Sequence, residues 1–155
     1  MILLWGLLTD SPLRVVHEAI KSLKAPVVFF NQLDTFDTEM ELSVGSTISG
    51  FLQTPKQNVE LENVTAIYLR PHDIRRLAQI TKIDTNNQQY YRAINVEDML
   101  LSWTEITKAI VINKTSAMAT NSSKPYQSAL IQTQGFKTPE TLITTCPDSA
   151  IEFWQ

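Results

Sequence analysis

Two apolar runs flanking a capped, helix-spaced segment constrain this chain most. It begins "MILLWGLL", a continuous apolar stretch without alternation, which is the pattern of a strand covered on both faces. Thr9, Asp10 and Ser11 supply helix-start chemistry, and Pro12 suits a first helical turn. Leu13, Val16, Ala19, Ile20 and Leu23 then recur at helical spacing, and residues 26–30, "PVVFF", give a second short apolar run. Strand, helix and strand within about 30 residues is the size of a βαβ unit, so the two strands are expected to pair in parallel.

The next segment changes period. Met40, Leu42 and Val44 alternate with Glu39, Glu41 and Ser43, and after Gly45-Ser46 the alternation resumes through Ile48, Gly50 and Leu52. This reads as a half-exposed β-hairpin over about residues 38–53, closed by a two-residue Gly-Ser turn. Residues 64–69 return to the buried-strand pattern, residues 72–80 suit a short helix, and the polar "TKIDTNNQQYYR" suits a loop. Met99, Leu100, Trp103 and Ile106 then mark an amphipathic helix from Val96, and "AIVIN", residues 109–113, a fourth short buried strand. Further on, Ser122 or Ser123 caps a helix containing Pro125, with Tyr126, Ala129 and Leu130 facing inward and Gly135 as its stop. "TLITT" is strand-like, and Cys146-Pro147-Asp148 starts a last helix. The expectation is an α/β domain of the Rossmann-like type over residues 1–120. It has about four mostly parallel strands, an inserted hairpin and flanking helices, and is followed by a helix–strand–helix extension over residues 121–155.

At 155 residues and 43% hydrophobic content the chain can bury a well-formed core. A net charge of −3 gives no general attraction to nucleic acid or to an anionic membrane. Residues 1–64 hold eight acidic and four basic residues, whereas 65–125 hold eight basic and five acidic, so the middle of the chain carries the better anion-facing surface. Cys146 is the single cysteine, which excludes an intrachain disulfide and fits a reducing cytosol. The opening apolar run is too short for a signal peptide or a membrane span. A soluble, cytoplasmic protein is expected.

Three clusters carry candidate chemistry. In "YLRPHDIRR", Arg70, His72, Asp73, Arg75 and Arg76 follow the third strand, where parallel sheets gather ligands and where guanidinium forks suit carboxylate or phosphate. The plainer reading pairs Arg70 with a local acid and leaves Arg75 and Arg76 solvated. His72 has no His or Cys at ligand spacing, so a metal is not expected. Asp34 and Asp37 follow the second strand where a ribose-binding acid would stand. However, the first turn, "GLLTDSP", has only Gly6, and ordinary turn chemistry accounts for both aspartates. Lys114 and Lys124 flank "TSAMATNSS", a basic connection or simply an exposed capped loop. Cys146 has no neighbouring base, and no catalytic constellation is visible.

The tail "SAMATNSSKPYQSALIQTQGFKTPETLITTCPDSAIEFW" resembles the entry into an ATP-grasp ligase core. The likeness lies in a lysine opening a helix, a "QGF" stop, a "P-x-T-L-I-T" strand and a "P-D-x-A" helix. Upstream, "LDTFDTEMELSV", the hairpin and "VTAIYLRP" look like the N-terminal domain of microviridin-type ATP-grasp peptide maturases. The resemblance implies a preATP-grasp domain, non-catalytic by itself, with ATP and magnesium held by a core beyond Gln155. It further implies that Lys124 approaches nucleotide phosphates, although Ser123 stands where relatives carry a charged residue. Arg70, His72 and Arg75 become the residues to help hold a peptide or amino-acid acceptor. The partners it implies are a C-terminal ATP-grasp domain in cis or in trans, and a homodimer remains open. The alternative is a free-standing α/β binding or scaffold module with no ATP-dependent role.

Overall fold

The four apolar runs assemble into one parallel sheet in the computed structural model, which describes residues 1–118 and 123–154. Strands β1 (Ile2–Gly6), β2 (Val27–Asn31), β6 (Ala66–Arg70) and β7 (Ile110–Ile112) lie in the order β2-β1-β6-β7. Helix α1 (Ser11–Ser22) connects the first two. Asp10 is its N-cap, accepting from the Leu13 amide at 3.2 Å, and Pro12 sits in the first turn. A separate antiparallel sheet holds β3 (Glu39–Val44), β4 (Ile48–Gln53) and β5 (Asn58–Glu60) in that order. The fold is therefore the expected α/β architecture with an inserted hairpin.

The hairpin turn is one residue longer than expected. Val44 pairs with Ile48, leaving Gly45, Ser46 and Thr47 in the loop. The reason is register. This pairing sets Met40 opposite Leu52 and Val44 opposite Ile48, so the apolar residues share a face. A two-residue turn would slip the ladder by one and turn one strand's apolar set outward. Strand β5 escapes the sequence reading because only Val59 of its three residues points inward.

Helix α2 (Gln88–Ile106) starts eight residues earlier than the apolar spacing suggests. Asn87 caps it, its side chain accepting from the Gln89 amide at 2.8 Å, so "QQYYR" is helix rather than loop. Its first turns cover a small second core of Ile74, Ile80 and Ala93, with Phe36, Tyr90 and Ile94 around it. Its later turns bring Val96, Leu100 and Trp103 onto Leu3, Trp5, Ile67 and Leu69 of the sheet, together with Leu52 and Val59 of the smaller sheet.

The expected helix over residues 72–80 is a chain of tight turns, with a single 3-10 turn at Ile74–Arg76. Ile74, Leu77 and Ile80 recur every third residue, and the amides of Leu77, Ile80 and Ile83 each bond the carbonyl three residues back. A strict period of three suits 3-10 turns better than a 3.6-residue helix. Strand β7 is also not covered on both faces: Ile110 and Ile112 are 69% and 51% exposed. They share a face with Leu4, and α1, which covers that face, packs on β1 and β2 at the far side of the sheet.

The chain divides into two compact units, Met1–Ser116 and Ala117–Gln155, with the short helix α3 (Thr115–Met118) at the division. In the second unit α4 (Lys124–Thr133) is capped by the Ser123 hydroxyl, which accepts from the Tyr126 amide at 3.3 Å; Ser122 lies outside the described residues. Gly135 takes a left-handed φ of +81°, its amide bonding Gln132 and the Phe136 amide bonding Ile131, which closes the helix as a Schellman stop. "TLITT" is not a strand, because among the described residues of this unit no neighbouring strand offers it a ladder. Tyr126, Ala129 and Leu130 are exposed rather than inward, since no described residue of the unit is buried.

Helix α5 (Pro147–Trp154) leaves Ile151 59% and Trp154 90% exposed. Such a patch favours association. The chain is expected to self-associate reversibly in sedimentation equilibrium, and serine at Ile151 and Trp154 to reduce this. A clean monomer at high concentration would refute it. No helix among the described residues is long and apolar enough to cross a membrane.

Candidate functional site

Three neighbouring strands of the parallel sheet end at one level, since Gly6 is in register with both Asn31 and Arg70. Everything that follows them in sequence therefore meets at one rim. Gly6 is required there: a Cβ would stand 2.7 Å from the Arg70 carbonyl oxygen and 2.9 Å from a Leu13 methyl. Its absence lets the chain after β1 leave tightly beneath Arg70.

Arg70 and Asp10 form the first part of the rim. The guanidinium grips the Asp10 carboxylate through both Nε and Nη2, the latter 3.1 Å from Oδ1. Asp10 thus caps α1 and anchors Arg70 at once. The Arg70 hydrogen bond holds the Asp10 carboxyl below its ordinary value, and Asp10 in turn raises Arg70. Such a bidentate fork is geometrically specific. It ties the end of β6 to the start of α1 and pairs Arg70, whose side chain stays 37% exposed, with an internal acid.

The second part is a buried polar node. Gln32, 1% exposed, directly follows β2. Its Oε1 accepts from the His72 amide at 2.9 Å and its Nε2 donates to the His72 carbonyl at 2.6 Å. The side chain thus acts as a one-residue strand, reaching over the end of β1 to clamp the backbone after β6. Nε2 also donates to Glu97 Oε2 at 3.0 Å, from α2. Burial raises the Glu97 carboxyl to about 7; the Gln32 bond and Arg75 oppose the rise, while Asp98 and Asp73 add to it.

The node fixes the loop that carries the remaining candidates. His72 and Arg75 hold exposed side chains on it, and Asp73 accepts from the Arg75 amide at 3.1 Å while pairing with Arg76 at 3.4 Å. Arg70, His72 and Arg75 are thus brought together at one rim. Lys124 lies in the other unit at the first position of α4, its Nζ 3.2 Å from Gln127 Oε1. Asp34 forms a 2.9 Å ion pair with Lys56, and Lys114 one of 3.6 Å with Glu105.

Sequence reasoning missed Gln32 and Glu97, and took Asp10 for a cap only. A signal for Glu97 exists, because Ala93, Glu97, Leu100 and Thr104 follow helical spacing and all four are buried. No group of acidic, histidine or cysteine side chains suited to a metal occurs among the described residues.

The fold is an α/β module, a parallel sheet ending in a polar rim with an inserted antiparallel hairpin. No protein-family model and no curated protein matches this chain. Solved structures do. A Chryseobacterium gregarium RiPP-associated ATP-grasp ligase, in complex with ADP and a leader and core peptide, superposes with a TM-score of 0.73 at 22% identity. That match covers 98% of this chain and 46% of the ligase. Macrocyclase MdnC from Microcystis aeruginosa, bound with precursor peptide MdnA, gives 0.75 at 17% identity over 99% of this chain and 48% of its own. ATP-grasp ligase PsnB, complexed with minimal precursor, gives 0.68 at 23% identity over 98% and 49%. The chain spans about half the length of the solved structures it matches. The fold is one that RiPP ATP-grasp ligases contain, in agreement with the preATP-grasp resemblance read from the sequence.

Proposed function

We propose that this chain is the non-catalytic N-terminal module of an ATP-dependent carboxylate–amine or peptide ligase of the ATP-grasp type. The observation that carries the reading is the likeness over 98–99% of the chain to ligases of which it spans about half. Residues 1–120 form the preATP-grasp domain and residues 121–155 lead into an ATP-grasp core, supplied in cis or in trans. That core holds ATP and magnesium. The module walls one side of the active site, with His72 and Arg75 facing the acceptor and Arg70 acting through Asp10 to hold their loop in place. Lys124 opens the lead-in helix toward the nucleotide phosphates.

Those solved structures carry precursor peptides, which makes a peptide the acceptor of choice. In this chemistry the ATP γ-phosphoryl passes to a carboxylate, and an amine or hydroxyl then displaces phosphate, so each bond formed turns one ATP into ADP and phosphate and lowers the peptide mass by that of one water.

The test combines the chain with an ATP-grasp core and a precursor peptide and follows ADP release and peptide mass. Turnover is expected only with both proteins present, and the chain alone is expected to bind ATP weakly or not at all by calorimetry. Equal turnover without the chain, or submicromolar ATP binding by the chain alone, would overturn the reading.

A further inference from the structure

Away from the rim, the first unit carries an open groove of about 670 Å³ between β3 and the first turns of α2. That volume lies within the range of ligand sites. One wall is β3, the end strand of its sheet, paired among the described residues only with β4. Half of the backbone amides and carbonyls of an end strand point away from its neighbour, and they recruit another extended chain. The opposite wall is α2, offering Gln88 and Asn95 amides and the apolar Tyr91 and Met99. Phe51 lies across from Glu41 on β4 and joins the lining.

The charge on this lip is specific. Glu39 is answered by Arg92 at 2.8 Å across the groove, whereas Glu41 forms no ion pair among the described residues. A second copy of β3 is a poor occupant, because antiparallel self-pairing centred on the groove sets acidic residues against acidic residues.

We propose that this groove docks a peptide as an added antiparallel or parallel strand along β3, with a lysine or arginine against Glu41 and an apolar side chain against Phe51 and Tyr91. A backbone edge, side-chain amides and apolar slots together are the features of strand-addition recognition. The assignment rests on the peptide-ligase reading above, for which it names the surface that holds part of the peptide.

The test uses the whole chain and a short fluorescein-labelled peptide alternating lysine with valine and phenylalanine, followed by anisotropy. Two further versions carry N-methyl groups on one or the other alternate set of backbone amides. Binding is expected, and methylation of one set is expected to weaken it about tenfold while the other set is tolerated. Adhesion by charge alone has no such alternation. Glu41→Lys is expected to weaken binding about fivefold, whereas Glu18→Lys, the same charge change on α1, leaves it unaltered. No binding, equal binding by both methylated forms, or equal effects of the two charge reversals would overturn the proposal. The two readings fail separately. Peptide binding without ATP-dependent turnover sinks the ligase role alone, and turnover indifferent to Glu41→Lys sinks the groove alone.

Discussion

Truncating Trp103 to alanine is expected to lower folding stability by about 4 kcal/mol. The side chain is 1% exposed and sits in the cluster that joins α2 to the parallel sheet and to Leu52 and Val59 of the smaller one. Removing it loses a large apolar contact and leaves a space that three separate elements would have to move to fill. Domains of this size have only about 5–15 kcal/mol in total, so the loss is a large share. The effect reaches function as well, because α2 carries Glu97 of the rim node and Arg92 and Val96 of the groove. A lowered urea midpoint, together with weaker peptide binding, is the expected result. Tyr91→Ala, on the exposed face of the same helix, should change stability by at most about 0.5 kcal/mol. If the two substitutions cost the same, α2 is not held to the sheet through Trp103.

How far the molecule was legible beforehand depended on whether its signals were local. The βαβ opening could be read because an apolar run, an aspartate cap and a proline in the first turn stand side by side. The inserted hairpin could be read from alternation, but its loop length could not, because register is decided by which face is buried. The start of α2 was hidden because Gln88, Gln89 and Tyr91 are exposed and carry no apolar period; the Asn87 cap was its only mark. Segment 74–80 showed apolar residues at a spacing shared by helices and 3-10 turns, and only the hydrogen bonds separate the two.

The candidate site divides the same way. Arg70, His72 and Arg75 stand together in one short stretch and were visible as a cluster. Asp10 and Gln32 reach that stretch from 60 and 40 residues away, and Glu97 reaches Gln32 from 65. No local pattern announces such partners. Both readings of Arg70, anion ligand and partner of a local acid, stand in the sequence, and only the fold identifies that acid as Asp10 at the start of α1.

The Glu97 carboxyl makes the node testable by pH. Burial raises its folded value to about 7 from an ordinary 4.5, so the native state keeps this proton over a range in which the unfolded chain has released it. For a raised acid the favourable contribution is full below the unfolded value and is lost as pH climbs through the folded one. Stability is therefore expected to fall between about pH 4.5 and 7 and to level off above, by about 3 kcal/mol from this group. Asp10, held low by Arg70, works in the opposite sense: its contribution is present above the ordinary carboxylate range and is lost as pH falls into acid. The two windows do not overlap. Glu97→Gln keeps an oxygen to accept from Gln32 Nε2 and has nothing to titrate. It should flatten the neutral limb of the profile and gain up to about 3 kcal/mol at about pH 8. Urea midpoints across the range decide the matter, since an unchanged slope in the variant would assign the dependence to another group.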